Sequence, residues 1–138
     1  MKKTLISSAI VVVMLIVGYF SYNYYNGPKI VEGVVSKSID NNGKPIGITT
    51  EFSPEDTVYF SAKGNRFWIK KAQVVWYKGK IATANRFLVE EDIVISNAGY
   101  FSTKLSVPEG LEVGHYSVNI YVAGKDIEET RTEFDVKK

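Results

Sequence analysis

Cysteine is missing from the 138-residue chain, and histidine occurs once. The first absence excludes disulfide bonds, thiolate metal sites and cysteine nucleophiles, and the second excludes a histidine-based metal cluster. An excess of charge is also missing, since 17 basic residues stand against 15 acidic ones. Hydrophobic residues make up 45% of the chain and charged residues 23%, a composition typical of folded proteins. The length allows one domain with an appendage.

The appendage is an apolar segment at the N-terminus. Residues 4–20 carry no charge and are preceded by Lys2 and Lys3. At about 1.5 Å per residue, a helix over these residues spans roughly 26 Å, and Ser21 and Tyr22 extend it toward the hydrocarbon thickness of about 30 Å. The pattern predicts a transmembrane anchor over residues 1–22 and a linker over residues 23–29.

A cleaved secretory signal is the alternative interpretation of this segment, because it also has a basic start and an apolar centre. Cleavage requires small residues at positions −3 and −1 of the cut, and the stretch from Tyr19 to Tyr25 contains no pair with that spacing. Its aromatic residues are typical of a membrane–water interface. We therefore expect the anchor to remain uncleaved.

The basic residues predict the orientation of the anchor. Lys2 and Lys3 precede the apolar segment, and the next basic residue is Lys29. The positive-inside rule predicts a cytoplasmic N-terminus and an extracytoplasmic domain in a single-pass protein of the cell membrane. Without the two N-terminal lysines the domain is neutral and has no nucleic-acid reader motif, so we expect no nucleic-acid partner.

Alternation of apolar and polar residues dominates the chain after the linker. From Ile30 onward, stretches of six to ten residues alternate and are separated by turn residues such as Asp40–Pro45. This pattern predicts an all-β, two-sheet sandwich of seven to eight strands over residues 30–138. One extended segment is expected over residues 46–52, and separate strands over residues 81–89 and around Ile93 and Ile95.

The strand predicted over residues 67–78 has two faces. Ala72, Val74 and Trp76 are expected to point into the core. Gln73, Val75 and Tyr77 alternate with them and are expected to point outward.

Two segments carry a resemblance to a known family. Val75-Trp76-Tyr77-Lys78-Gly79 puts a tryptophan in the middle of the third strand, and Gly114-His115-Tyr116-Ser117-Val118 puts a tyrosine at the start of the penultimate strand. Together with the turn segments Asp40–Pro45 and Phe52–Tyr59, they make the chain similar to a recurring type of bacterial exported immunoglobulin-like domain, often tethered by one N-terminal helix. The resemblance covers residues 30–138.

The resemblance implies a disulfide-free immunoglobulin-like core. Trp76 packs on the third strand, Val118 stands where the second cysteine of such domains would be, and Tyr116 bonds backward as a tyrosine corner. It implies no reaction, because such domains are largely without one. No catalytic residue is carried over from it.

Candidate catalytic and metal-binding residues are few. His115 would need a nucleophile and an orienting acid to act as a general base, and alternation places it opposite the core face. Asp40–Asn42 and Glu90–Asp92 carry oxygen ligands, but Lys44 occupies the third ligand position of the first segment. We interpret both segments as solvated turns. The sequence therefore predicts no catalytic site, no metal site and no cofactor, and we expect a protein that is not an enzyme.

The charge distribution suggests a binding surface. Residues 61–88 contain seven basic residues and no acid, whereas residues 105–138 contain seven acids and four bases. The residues expected to form a surface for an anionic partner, beside Phe67 and Trp68, are Lys63, Arg66, Lys71, Tyr77, Lys78, Lys80 and Arg86. The alternative is that the basic residues pair across the sheet with the acidic C-terminal strands, and we favour this second interpretation.

These observations predict a membrane-anchored, extracytoplasmic binding or assembly module that docks a protein or an envelope component. The alternative is a structural subunit of a surface filament or pilus-like assembly. Type IV pilins carry a Gly-Phe cleavage point and a glutamate five residues after it. The apolar segment lacks both, which is an argument against this alternative.

Overall fold

The uninterrupted apolar segment, which contains no proline, forms one helix. In the computed structural model, which describes residues 2–138 and their side chains from Ile6 onward, helix α1 extends from Lys2 to Asn26. Met1 and the side chains of Lys2 and Lys3, on which the predicted orientation depends, lie outside the described residues. Because α1 ends at Asn26, only residues 27–29 connect it to the first strand. The predicted linker over residues 23–29 is therefore too long.

The helix is long and apolar enough to cross a membrane. Its segment Ile6–Asn26 has 21 residues and a mean hydropathy of 1.8. None of this apolar stretch is buried by the rest of the described chain.

Nine strands follow the helix. They are β1 (Ile30–Ile39), β2 (Pro45–Ile48), β3 (Glu51–Phe52), β4 (Val58–Gly64), β5 (Lys71–Lys78), β6 (Arg86–Val94), β7 (Tyr100–Leu105), β8 (Gly114–Val122) and β9 (Glu128–Val136). The prediction of an all-β sandwich preceded by one helix is confirmed.

The strands form two sheets. One has the order β2-β1-β4-β7, and the other has the order β3-β9-β8-β5-β6. Neighbouring strands are antiparallel except β3 and β9, which run parallel. In the second sheet, β5 lies between β6 and β8, so that Trp76 of β5 is opposite Leu88 on one side and Val118 on the other.

The nine strands differ from the predicted seven to eight in number and at two places in their bounds. The single extended segment expected over residues 46–52 is two strands, and Thr49 and Thr50 carry the chain from β2 in one sheet to β3 in the other. The strands expected over residues 81–89 and around Ile93 are one strand, β6, preceded by a 3-10 turn over Thr83–Asn85.

Aromatic side chains fill the space between the sheets. The ring of Trp76 lies 6.4 Å from that of Phe60 in the first sheet and 6.1 Å from that of Phe134 in the second, edge-to-face in both cases. Tyr116 stacks on Phe134 at 5.3 Å. Trp76, Tyr116 and Val118, which were expected in the core, are buried.

The hydroxyl of Tyr116 satisfies its own hydrogen-bonding need at the edge of this core. It donates to the carbonyl oxygen of Glu112, four residues earlier, at 2.7 Å. Burial raises the pKa of Tyr116 above its ordinary value. The tyrosine thus ties the loop that precedes β8 to the start of that strand.

Glu90 on β6 links the two sheets, because its carboxylate accepts a hydrogen bond from a residue of each sheet. One of its carboxylate oxygens accepts a hydrogen bond from the indole N–H of Trp76 at 3.2 Å, and the other accepts one from the hydroxyl of Thr103 on β7. The interpretation of Glu90 as a solvated turn residue is therefore wrong. A register shift in β6, with Asp92 at φ 56°, turns Glu90 toward the interior.

The outward alternation predicted for β5 is also incorrect at two positions. Val75 and Tyr77 lie on the face opposite Trp76 but are buried, Tyr77 with 2% of its surface exposed. The neighbouring strand β8 buries Ser117 and Asn119 at the corresponding positions. Because β5 and β8 are interior strands of a five-stranded sheet, side chains from the flanking strands shield both of their faces.

Trp76→Ala tests the aromatic core. We expect it to lower the free energy of unfolding by about 3–5 kcal/mol, because it opens a cavity between the sheets and leaves Glu90 without its indole partner. The measurement is urea denaturation of the detergent-solubilised chain, followed by far-ultraviolet circular dichroism. Trp68→Ala is the matched control outside the sheets. A loss below about 1 kcal/mol for Trp76→Ala would contradict the central position of this side chain.

Candidate functional site

The basic residues predicted to form one surface lie in separate parts of the fold. Lys71 and Lys78 begin and end β5, so about 23 Å of extended chain separates them. Arg86 is opposite Tyr77 and lies at the Lys78 end. Lys63 belongs to β4 in the other sheet. The residues are therefore distributed over both sheets and both ends of β5, and they do not form one compact cluster.

Tyr77 was expected to contribute an exposed ring to that surface and is instead buried. It forms a hydrogen bond with Tyr121. Burial and this hydrogen bond both raise the pKa of Tyr121 above its ordinary value. Asn119 in turn donates to the hydroxyl of Tyr121 at 3.0 Å. Tyr77 is therefore part of a polar network on the sheet and is not available to a partner.

Pairing of the basic residues with the acidic residues of 105–138 was the favoured alternative, and it occurs at one position. Strand β8 separates β9 from β5, so the acids of β9 are not opposite the bases of β5. Lys78 does pair with Glu112, which lies in the loop between β7 and β8. In the described part of the chain, this is the one ion pair formed by the basic residues of 61–88.

Arg66 does not face solvent alone but binds the end of α1. Its Nε donates to the carbonyl oxygen of Tyr24 at 2.6 Å, and one of its terminal nitrogens donates to the carbonyl oxygen of Asn65 at 2.7 Å. The centre of the guanidinium group lies 4.2 Å from the centroid of the Tyr24 ring. A cation here satisfies a free carbonyl of the last helical turn and opposes the negative end of the helix dipole.

An aromatic cluster surrounds this contact. Trp68 stacks on Tyr25 at 5.1 Å and meets Tyr24 edge-to-face at 5.3 Å. Phe67 meets Trp68 edge-to-face at 5.1 Å. Trp68 is half-buried and also packs against the sandwich core, so it connects the core with the helix.

Backbone hydrogen bonds fix the connection between the helix and the sandwich. The side-chain amide of Asn65 donates to the carbonyl oxygen of Pro28 at 2.8 Å, and its backbone N–H donates to that of Lys29 at 2.8 Å. The N–H of Lys29 donates to the carboxylate of Glu129 at 3.3 Å. These bonds reach the connection from the loop between β4 and β5 and from strand β9, so the helix is joined to the sandwich at several points.

Gly27 is required by the same arrangement. A Cβ atom on this residue would lie 2.6 Å from a terminal nitrogen of Arg66 and 2.8 Å from the carbonyl oxygen of Asn23. The N–H of Gly27 closes the last helical turn on that same carbonyl at 2.8 Å. Any larger residue would displace the arginine.

Two hollows flank the end of α1, and together they form what we call the helix-end surface. One is lined by Tyr24, Arg66, Phe67 and Lys70 together with residues 95–99. The other is lined by Tyr25, Lys29, Trp68, Lys125, Ile127 and Glu129. The lining contains four cations and one carboxylate, so the surface is basic although the domain as a whole is neutral.

His115 lies at the opposite end of the sheet and is exposed. Its Nδ1 is 2.8 Å from Asp135, and its Nε2 is 3.7 Å from Glu133. The hydrogen bond with Asp135 and the charge of both carboxylates raise the pKa of His115 above 6.5. Both ring nitrogens face acids, which favours the imidazolium form and a structural ion pair over a general base. Among the described residues, no set of three or more histidine and acidic side chains is arranged to hold a metal ion.

The helix-end surface was not predicted from the sequence, although its parts are visible there. Tyr24 and Tyr25 were interpreted as interfacial aromatics, and Arg66, Phe67 and Trp68 were assigned to a separate basic surface. The contact between Arg66 and Tyr24 joins residues 42 positions apart. A local pattern carries no information about such a pair.

Comparison with known proteins adds little beyond this geometry. No protein family and no curated protein matches the chain. Among solved structures, the soluble domain of PmoD from Methylocystis sp. (Rockwell) is 13% identical, with a TM-score of 0.48, and the match covers 78% of this chain and 90% of that domain's chain. The DNA glycosylase AlkC of Pseudomonas fluorescens, bound to DNA with an abasic site analog, is 10% identical with a TM-score of 0.38, and the match covers 80% of this chain and 30% of AlkC. At this level of similarity, neither structure indicates a function.

Arg66→Ala tests the attachment of the helix. We expect it to weaken the last turn of α1 by about 1 kcal/mol, because one charge-assisted hydrogen bond to the Tyr24 carbonyl is lost. Amide hydrogen exchange at Gly27 should then be roughly fivefold faster. Lys63→Ala removes the same charge from an exposed position on β4 and should leave this exchange rate unchanged. Equal rates in all three proteins would show that Arg66 does not hold the helix.

His115→Gln tests the ion pairs with Asp135 and Glu133. Because the pKa of His115 is higher in the folded state than in the unfolded state, its contribution to stability is complete below pH 6.5 and disappears as the pH rises through the folded-state pKa. We expect the variant to melt below the wild type at about pH 5 and together with it at about pH 9. Asp135→Asn should abolish most of the pH dependence. A stability difference that persists at the higher pH would contradict the charge pair.

Proposed function

We propose that this protein is a single-pass protein of the cell membrane whose sandwich lies on the extracytoplasmic side and serves as a non-catalytic binding or assembly module. The observation that carries the proposal is the state of α1. Its apolar stretch is not buried by the described chain, and only its last turn is bound to the sandwich, by Arg66 and Trp68. An uncovered apolar helix of this length is stable in lipid. The attachment at its end then holds the sandwich close to the bilayer.

The orientation of the protein follows from the charges that flank the helix. Lys2 and Lys3 precede its apolar stretch, and the short connection after α1 contains one lysine, Lys29. The greater positive charge on the N-terminal side favours retention of that side in the cytoplasm. The sandwich is then exported, and its lack of cysteine is compatible with a domain that depends on its core alone.

Several features support an immunoglobulin-like assignment for the sandwich, of the disulfide-free kind that bacteria export. The parallel pairing of β3 with β9 at the edge of the second sheet is one of them. Trp76 lies in the core opposite Val118, and Val118 occupies the position where such domains carry a cysteine. The hydroxyl of Tyr116 donates to the carbonyl oxygen of Glu112, as in a tyrosine corner. Domains of this architecture present loops at both ends of the sandwich, which are suited to binding.

The end of the sandwich away from α1 is the candidate docking site for a protein or an envelope component. A hollow there is lined by apolar side chains and carries charged groups on its lining. Phe87, Val107 and Val113 are exposed at this end, and Lys78 pairs with Glu112. Exposed apolar side chains surrounded by polar ones are typical of interaction surfaces.

Fractionation of cells that express the full chain tests the anchor and its orientation. We expect the protein to resist carbonate extraction, to have a mature N-terminus at Met1 by mass spectrometry, and to be degraded when protease is added outside intact spheroplasts. A Lys2→Glu, Lys3→Glu variant is the control for orientation and should be exported less efficiently. A mature N-terminus between Gly18 and Gly27 would contradict the anchor, and sheared extracellular fibres would favour the filament subunit.

Photo-crosslinking tests the docking site. A photoreactive phenylalanine analogue at Val113 should capture a partner in intact cells, and the same analogue at Lys104, an exposed position on β7, is the matched control. A product specific to Val113 supports the module. Absence of a product from Val113, or the same products from both positions, would contradict docking at this end.

A further inference from the structure

We propose that the helix-end surface rests on the anionic headgroups of the membrane, with Phe67 and Ile127 in the bilayer interface. The inference depends on insertion of α1 in a membrane, as proposed above. It adds that the sandwich itself is a lipid-binding domain with a fixed face toward the bilayer. The partner is defined by its chemistry, a phospholipid surface with net negative charge.

The length of α1 determines the depth of this surface. The 21 residues of its segment Ile6–Asn26 span about 31 Å, close to the hydrocarbon thickness of about 30 Å. Tyr24 and Tyr25 therefore lie where hydrocarbon meets headgroups, as interfacial tyrosines do. Because Trp68 stacks on Tyr25, and Arg66 binds the carbonyl of Tyr24, both lie at that same depth.

The most exposed large apolar side chains of the sandwich lie at this depth. Among the described residues of the sandwich, Phe67 and Ile127 have the highest exposure of any large hydrophobic residue, 76% each. Both line the hollows beside the helix end, although they come from different loops. Exposure of two such side chains to water is unfavourable, and the interface removes them from water.

The charge of the helix-end surface is complementary to anionic lipid. The lining of this surface contains four cations, Lys29, Arg66, Lys70 and Lys125, and one carboxylate, that of Glu129. This carboxylate accepts a hydrogen bond from the backbone N–H of Lys29. Basic groups next to a membrane helix gain energy from an anionic surface. Aromatic and basic residues together are the composition of an interfacial anchor.

Position favours lipid over a protein partner here. The helix-end surface surrounds the point at which α1 leaves the bilayer. Headgroups therefore occupy the space next to it before any other molecule can approach. The hollow at the far end of the sandwich is under no such constraint.

Quenching of tryptophan fluorescence tests the inference, because the chain has two tryptophans at very different places. Trp68 belongs to the helix-end surface, and Trp76 is buried between the sheets. The full chain is reconstituted in vesicles of phosphatidylcholine or of phosphatidylcholine with phosphatidylglycerol, each with a nitroxide-labelled headgroup lipid. We expect the nitroxide to lower the emission of the wild type. The emission of Trp68→Phe, which comes from Trp76 alone, should be unchanged.

A pair of lysine variants tests the contribution of charge. We expect phosphatidylglycerol to increase the quenching of the wild type, and to lose this effect in Lys70→Gln, Lys125→Gln. The matched control is Lys78→Gln, Lys80→Gln, which removes two cations from the other end of β5 and should behave as the wild type. The increase should also fall as salt shortens the Debye length from about 10 Å at 0.1 M to about 3 Å at 1 M.

The outcomes separate this inference from the proposed function. A chain that stays with the vesicles after a carbonate wash, and whose emission the nitroxide does not lower, would overturn the inference and leave the anchor intact. Equal quenching in both kinds of vesicle would overturn the role of anionic headgroups. A chain that is washed off the vesicles would overturn the anchor and the inference together.

Discussion

The indole of Trp76 lies between the two sheets, in contact with Phe60 of the opposite sheet and with Phe134 of its own sheet. In a sandwich without disulfides, these aromatic contacts are the central link between the layers. Glu90 adds a polar link, since it receives the indole N–H and the hydroxyl of Thr103 on the opposite sheet. Tight packing at this point determines the spacing of the sheets, and the loops at both ends depend on that spacing.

The attachment of α1 depends on one of those loops. The segment between β4 and β5 leaves the core with Arg66 and Trp68 directed at the last turn of the helix. Several hydrogen bonds and ring contacts give the connection between α1 and the sandwich a defined geometry. A sandwich attached in this way keeps the same end toward α1, with the loops of its other end directed away from the helix.

Much of the fold could be predicted, and the errors have a common cause. The alternation that places Trp76 in the core is a local property, and it predicted the sandwich correctly. The same alternation predicted an exposed Tyr77, which is buried because β5 has a neighbour on each side. The predicted solvated turn at Glu90 was wrong because a register shift directs this side chain toward Trp76. Strand order and register are not local, so a pattern with a period of two residues does not contain them.

The sequence by itself determined the classes of structure: an apolar helix at the N-terminus, an all-β domain without disulfides, and a neutral charge balance after the two first lysines. These properties follow from composition and short-range periodicity, which act on neighbouring residues. Only the tertiary structure decided which charges stand together. It placed Lys63 and Lys71 in different sheets, and it brought Arg66 to the carbonyl of Tyr24, 42 positions away. Strand pairing brings such distant residues into contact, and a local sequence pattern does not contain it.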